Sequence, residues 1–422
     1  MKEIPIGNAP LINKLNKRKI LQLIRTEGEI SRADIVKKTG LSAPTVTRIV
    51  DSLINDNKLV VLLGTGDSTG GRPPLLVKFD GENNFVIGID IGATCIRGVL
   101  SNLNAEFLVE IQIPTEIDQG YERVMQQVGD VIQKLINRKK IEDDRLLGVG
   151  VAVGGLINKK KKIIEYSPIF DWYNVDISKT LHEYIDCPVI FVNVSRAMAL
   201  GELWYGEGQK YRNFICVNVG YGIGAGIIVN GSPLEGADGL AGEFGHITME
   251  RNSDALCRCG KYGCLEALSS GLGISEAAKK ALKSNVNKDS ILMNLIENNI
   301  DSLTTEHVFA ALKKGDKLAI KIIENAMEYL GRGIASLINV FNPEAVFIGG
   351  GVASNKEVFF NIVEKNVDKN IMSQAERKVV ILPVTFGENS ALMGAFSMIL
   401  FRVLNLDFGK VEEKMNSYQS IS

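Results

Sequence analysis

The chain has 422 residues, 45% of them hydrophobic and 23% charged, a balance that fits a folded protein with more than one core and excludes wholesale disorder. Its longest apolar stretches, such as residues 146–157, contain glycines and fall short of the roughly 20 residues a spanning helix needs. The N-terminus (MKEIPIGNAP) lacks the apolar core of a signal peptide. A cytoplasmic protein with no membrane contact is therefore expected. The net charge of −1 conceals an asymmetry: residues 1–80 carry 13 Lys and Arg against 8 Asp and Glu, the remainder 35 against 41. A basic head on an acidic body implies that the head alone meets a polyanion.

Residues 17–26 place Ile20, Leu23 and Ile24 at helical spacing. In the segment ISRADIVKKTGLSAPTVTRIVDSL, Ser31 and Asp34 form a capping-box pattern, and Ile30 with Ile35 a hydrophobic staple. Thr39-Gly40 ends that helix, glycine supplying a left-handed residue. Ser42 is expected to cap the next helix, Leu41 with Val46 repeats the staple, and Pro44 is tolerated in the first turn. Val46, Ile49, Val50 and Leu53 make one apolar stripe, leaving Ala43, Thr45, Thr47 and Arg48 on the opposite face. Two short helices joined by a tight glycine turn make a helix-turn-helix. The free face of its second helix, Ser42 included, is expected to read base edges of double-stranded DNA: threonine methyls against thymine, Arg48 toward guanine or phosphate.

Residues 59–63 and 75–79 read as two strands around the loop GTGDSTGGRPP, a β-wing. Arg72, stiffened by Pro73 and Pro74, suits an A·T-rich minor groove. The competing reading is a helical module that binds protein. Two staples, a wing and local positive charge together favour DNA.

From Phe85 the pattern changes. FVIGIDIGATCIRGVL and FICVNVGYGIGAGIIVNG each read as strand, glycine turn, strand. LLGVGVAVGGLI is a buried strand running into a glycine loop, PVIFVN a strand followed by a helix, and EAVFIGGGV a strand ending in three glycines. Alternating strands and helices, with a glycine-turned hairpin opening each half, predict an α/β body of two duplicated units. Each glycine turn can present N–H groups to phosphate, with Asp90 near magnesium. Taken singly, such turns are better explained as hairpin geometry.

Three of the six cysteines crowd together as Cys257, Cys259 and Cys264, with His246 just upstream. One histidine and three cysteines match a closed tetrahedral structural Zn2+ site rather than a disulfide framework. Gly260 and Gly263 let the chain bend around the ion.

With these residues the sequence resembles the ROK family of repressors and sugar kinases over nearly its whole length. The spacing His-x10-Cys-x-Cys-x4-Cys, with Glu266 two residues on, carries the resemblance. It implies a winged helix-turn-helix over residues 1–80, followed by a two-lobed actin-like (ribonuclease H-like) ATPase fold. The first lobe would span 81–200, joined by a C-terminal helix at 388–405. The second would span 201–387 with the zinc site and a dimer surface, and 406–422 would be a polar tail. The resemblance further implies a monosaccharide site formed by Gly155, Asn193, Glu243, His246 and Glu266, with His246 serving both sugar and zinc.

One departure bears on activity. Family kinases carry an Asp after the Asn of the stretch preceding Ala-Leu-Gly-Glu, and that Asp takes the proton of the attacking hydroxyl. This chain has Val194 there, and valine accepts no proton. Ala93 replaces a family glycine, and Tyr221 stands where a small hydroxyl residue is usual. The expected protein is therefore a sugar-responsive repressor with no enzymatic activity. It would bind operator DNA as a homodimer, or as a tetramer, and answer to a monosaccharide, xylose on overall resemblance. The alternatives are a ROK sugar kinase that phosphorylates a hexose with ATP and carries a DNA-binding head, and a regulator whose body binds a protein. Trp172 and Tyr173 are expected to pack rather than bind, and His182 and His307 show no partners in the sequence.

Overall fold

The computed structural model describes residues 9–65, 75–158, 161–284, 290–372 and 379–404. The head begins with α1 (Ala9–Glu27), β1 (Glu29–Ser31), α2 (Arg32–Thr39) and α3 (Ala43–Asn55), and ends in β2 (Val60–Thr65) and β3 (Leu75–Phe79). β1 and β2 flank β3, both antiparallel to it. The local signals act as expected at α2. The Ser31 side chain accepts from Asp34 N at 3.1 Å, and Gly40 sits at φ 72° with its N–H on the Val36 carbonyl. At α3 the outcome differs. Ser42 occupies the N-cap position, but its hydroxyl pairs with that of Thr45 at 2.8 Å and caps no backbone N–H. Val46, Ile49, Val50 and Leu53 are buried as the stripe requires, each burial stabilising by about 1.5–3 kcal/mol. Arg72 and the wing tip lie outside the described residues.

The first half of the body contains β4 (Phe85–Ile91), β5 (Cys95–Asn102), β6 (Phe107–Pro114), α4 (Gly120–Lys139) and β7 (Leu146–Val153). It continues through β8 (Leu156–Asn158), β9 (Ile163–Ser167), β10 (Trp172–Val175), α5 (Ile177–Leu181) and β11 (Val189–Asn193) into α6 (Val194–Tyr205). The second half contains β12 (Phe214–Val219), β13 (Ile223–Val229), β14 (Ser232–Pro233), α7 (Leu265–Ser269) and α8 (Gly271–Lys283). After them come α9 (Ile291–Leu295), α10 (Thr305–Lys313), α11 (Lys317–Phe341), β15 (Ala345–Gly349), α12 (Lys356–Asp368), β16 (Val380–Pro383) and α13 (Ser390–Leu404).

The two halves repeat one topology. The first sheet has the order β11-β7-β4-β5-β6 and the second β16-β15-β12-β13-β14. In each, an antiparallel hairpin (β4–β5, β12–β13) carries an antiparallel edge strand on one side, eight residues long in β6 and two in β14, and two parallel strands on the other. This is the α/β duplication expected from the paired strand–glycine–strand motifs. A separate sheet, β10-β9-β8, shares the apolar core of the first half through Ile157, Ile164, Phe170 and Trp172. The loop Cys257–Cys264 belongs to the second half, whose core includes Phe244 and Leu265.

The head does not close its core alone. Ile20, Leu21, Ile24, Ile30 and Ile35 share one apolar cluster with Met393, Phe396, Ile399, Leu400 and Val403 of α13. Among the described residues, no helix is long and apolar enough to cross a membrane.

Candidate functional site

The buried stripe of α3 turns the opposite face outward. Ser42, Ala43, Thr47 and Arg48 are exposed and Thr45 is half-buried. Arg48 is not wholly free: its Nη2 donates to Asn13 Oδ1 of α1 at 3.0 Å. Lys17, also on α1, donates to Ser52 Oγ at 2.6 Å. The first helix thus braces the one that carries the candidate reading face.

Between the two halves of the body lies a cavity of about 320 Å3, at the lower end of the size range for small-molecule sites. All five residues expected at a sugar site line it: Gly155, Asn193, Glu243, His246 and Glu266. Gly155 follows β7 at φ 135°, where a Cβ would stand 2.8 Å from the Tyr166 carbonyl oxygen, so only glycine fits. Asn193 ends β11 and caps α6. Its Oδ1 accepts from Ser195 N at 3.0 Å and its Nδ2 donates to the Gly155 carbonyl at 3.2 Å. Glu266, in the first turn of α7, accepts from Ile223 N at 2.8 Å. The carboxylate of Glu243 lies 3.8 Å from His246 Nε2. Burial raises the Glu243 carboxyl above its ordinary value; His246 and Arg196 oppose the rise and Glu266 adds to it. Two carboxylates and an imidazole on one wall, with Ile169, Leu240 and Pro168 beside them, suit a neutral ligand with vicinal hydroxyls and an apolar face.

The metal-ligand set also assembles. One ligand atom from each of His246, Cys257, Cys259 and Cys264 lies within 4.8 Å of every other. Cys257 Sγ is 3.6 Å from His246 Nδ1, and the Cys259 and Cys264 sulfurs are 3.7 Å apart. Those are edge lengths of a tetrahedron around an ion with zinc's bond lengths, about 3.5–3.8 Å. Burial pushes the Cys257 and Cys264 thiols above their ordinary value; a cation among them would reverse this and hold thiolates. The donor set therefore fits zinc. His246 would offer Nδ1 to the ion and keep Nε2 on the cavity side.

Residues 86–401 match the model of the ROK family. The chain belongs to the ROK family. Residues 14–60 match a model described as winged helix-turn-helix DNA-binding. The xylose repressor of Caldicellulosiruptor bescii is 31% identical over 400 residues, covering 95% of this chain and 99% of that one. A crystal structure of a ROK family transcriptional regulator, a homolog of the E. coli MLC protein, superposes with a TM-score of 0.73 at 25% identity, over 94% of this chain and 98% of that one. A ROK family glucokinase from Streptomyces griseus, solved with glucose and AMPPNP, superposes with a TM-score of 0.67 at 26% identity. It covers 75% of this chain and 99% of that one. The kinase likeness thus stops at the body, whereas the regulator likeness takes in the head.

In this ROK protein Val194 lines the cavity at the first residue of α6. The only carboxylates among the described lining residues are Glu243 and Glu266. Trp172 is buried in the first core and Tyr173 is 60% exposed, and neither lines the cavity. His307 has a structural partner after all: it completes a capping box with Thr304 at the start of α10. His182 Nδ1 lies 3.4 Å from the Ile185 carbonyl.

Two site residues escaped sequence reasoning. Arg196, buried in the first turn of α6, donates to the carbonyls of Gly239 (2.9 Å) and Ala241 (3.4 Å). It thereby fixes the loop that delivers Glu243. Lys261, inside the cysteine loop, lines the cavity. Neither had a local signal, because each meets its site only through the tertiary fold.

Proposed function

We propose that this ROK protein is a sugar-responsive DNA-binding transcriptional repressor of carbohydrate-utilisation genes, with a monosaccharide effector in the cavity between the two halves of its body. One observation carries the reading. The same chain holds an outward α3 face and a cavity lined by Glu243, His246 and Glu266, while an apolar Val194 starts the helix at that cavity's wall. A polyol site without a proton acceptor at that position suits binding rather than phosphoryl transfer, which needs base, magnesium and positioning together. The likeness to a full-length xylose repressor supports xylose as the effector.

In this reading Ser42, Ala43, Thr45, Thr47 and Arg48 meet operator DNA, with Arg72 of the wing in the minor groove. Gly155, Asn193, Glu243, His246 and Glu266 hold the sugar. Zn2+ bound by His246, Cys257, Cys259 and Cys264 fixes the loop beside it, and supplies rigidity rather than chemistry. A homodimer spaces two α3 helices along a palindrome. The division into a head over 1–80, lobes over 81–200 and 201–387, and a returning helix accounts for the two repeated sheets. The protein works in the cytoplasm and catalyses no reaction. The sugar must bind one spacing of the heads more tightly than the other, because equal affinity shifts nothing.

The test is operator binding by mobility shift with a panel of pentoses and hexoses, alongside calorimetry. At least one unmodified sugar is expected to change operator affinity tenfold or more. Glu243→Ala is expected to abolish that response while leaving sugar-free operator binding intact. Specific DNA binding that no sugar alters would overturn the reading. So would turnover of ATP and a hexose to sugar phosphate at an ordinary kinase rate.

A further inference from the structure

Arg258 stands between two of the metal-ligand cysteines, on a loop of the second half, yet its contacts reach across the cavity. Its Nη1 donates to the Ile169 carbonyl at 3.1 Å, in the β9–β10 connection of the first half. Its Nη2 donates to the Tyr221 hydroxyl, in the glycine turn between β12 and β13. The guanidinium carbon lies 4.6 Å from the centre of the Tyr221 ring. Its own backbone carbonyl accepts from the Tyr166 hydroxyl of β9 at 3.2 Å. One residue therefore makes two hydrogen bonds to the first half and two contacts to a neighbouring turn of its own half.

The surroundings of these contacts give them consequence. Tyr166 and Ile169 both line the cavity, as do Cys259 and Lys261, which follow Arg258 in the same loop. The other wall is the start of α6, where Asn193 binds the Gly155 carbonyl. The start of α6 is packed into the body, with Ser195 to Glu202 all buried. The Arg258 crossing, by contrast, is built of an exposed arginine, an exposed tyrosine and two loops, and is the weaker seam between the halves.

We propose that Arg258 is a positioning residue, a latch that holds the two halves of the body together over the cavity and so sets how long the bound ligand stays. A planar guanidinium suits the task because it can donate to two acceptors in fixed directions while stacking on a ring. Tyr221 supplies both the ring and one acceptor, which gives a use to the bulky residue in this turn. The cysteine cluster bears on the latch because it fixes the loop on both sides of Arg258. A ligand that needs the joined state binds with an apparent affinity reduced by whatever fraction of the chain is open.

The nature of the ligand rests on the proposed sugar-sensing role; the latch itself does not. Two measurements on the full-length chain therefore test it. Amide hydrogen exchange without any sugar reports opening directly. Arg258→Ala is expected to speed exchange in residues 154–158 and 166–171 at least several-fold, leaving the α1–α3 head unchanged. Stopped-flow release of xylose, or of whichever panel sugar binds, is expected to quicken about tenfold or more, the scale of losing charge-assisted hydrogen bonds. Arg258→Lys should fall between the two proteins. Tyr221→Phe should show a smaller effect that does not add to Arg258→Ala. Bound zinc, measured on each variant, separates a lost latch from a lost loop; should Arg258→Ala shed its metal, Tyr221→Phe decides on the same two readouts. Faster exchange in a protein that binds no sugar would keep the latch and sink the sugar role. Exchange and release both at wild-type rates in a zinc-loaded variant would overturn the latch.

Discussion

Gly394 of α13 lies so close to Ala197 of α6 that a Cβ on Gly394 would stand 1.7 Å from the Ala197 carbonyl oxygen. The two helices touch backbone to backbone. Gly150 of β7 repeats the close approach on the other side of α13, where a Cβ would meet the Ala395 carbonyl oxygen at 2.0 Å. α6 begins at the cavity with Asn193 and Val194, and its Tyr205 packs against Phe396 of α13 at 5.9 Å between ring centres. Phe396 and its neighbours also complete the head core. A rigid pair of helices thus joins the cavity to the underside of the DNA-reading module.

Gly394→Ala should therefore force the helices apart, since the obstacle is backbone and cannot rotate away. The expected cost is about 1–3 kcal/mol, as for other overpacked cores, read as a lower denaturant midpoint. Operator binding without sugar should survive at low temperature while the response to sugar shrinks, because the joint and not either site has been altered. A variant with wild-type stability and a wild-type response would show that the close contact carries nothing.

Local chemistry made the head and the metal cluster legible in the sequence. Ser31, Asp34 and Gly40 act within a few residues of one another, so spacing alone predicts their roles. The His246–Cys264 spacing likewise constrains its own geometry. Ser42 shows the limit of such reasoning. A capping position is predictable, but the hydroxyl turned instead to Thr45, a choice between two nearby partners that sequence does not rank. Arg258 and Ile169 are 89 positions apart, and Phe396 reaches the head from the far end of the chain. Such juxtapositions follow from topology, which the duplicated strand motifs implied only in outline.

Arg48→Ala tests the reading face. A bidentate arginine contact to guanine is worth about 1–3 kcal/mol of base discrimination, so operator affinity should fall roughly tenfold or more at fixed salt. Binding to unrelated DNA should change little if Arg48 reads a base. If it contacts phosphate instead, both affinities should fall together and the salt dependence should flatten. Asn13→Ala, which removes only the brace at 3.0 Å, should produce a smaller loss in the same direction. Fluorescence anisotropy across a salt series distinguishes these outcomes.

Elemental analysis of the purified chain should find about one zinc per molecule, as a four-ligand structural site requires. Cys264→Ser should lose the ion and lower stability by about 2–5 kcal/mol, because a buried ligand and the loop it fixes are lost together. Sugar affinity should fall in the same variant, since His246 would lose the partner that orients its ring. Full sugar affinity in a metal-free protein would separate the two sites that His246 appears in.

Asp90 gives the body a pH dependence whose sign can be worked out. It is buried on β4, its Oδ1 has no hydrogen-bond partner, and Arg97 lies 3.9 Å away. Arg97 spends its hydrogen bonds elsewhere, on the side chain and carbonyl of Glu388 just before α13 and on the Gln112 side chain. Burial consequently raises the Asp90 carboxyl from 3.8 to about 6, against the opposing pull of Arg97. Between those two values the folded chain holds a proton that the unfolded chain has released. Stability therefore declines as pH rises through this window, and the loss persists above it. Asp90→Asn keeps the shape and removes the charge. At pH 7.5 it should be more stable than the parent by about 2–3 kcal/mol, from roughly two units at 1.36 kcal/mol each. At pH 4 the two proteins should unfold at nearly the same urea concentration, because Asp90 is then neutral in the fold. An equal difference at both pH values would mean that the carboxyl is not the group that titrates.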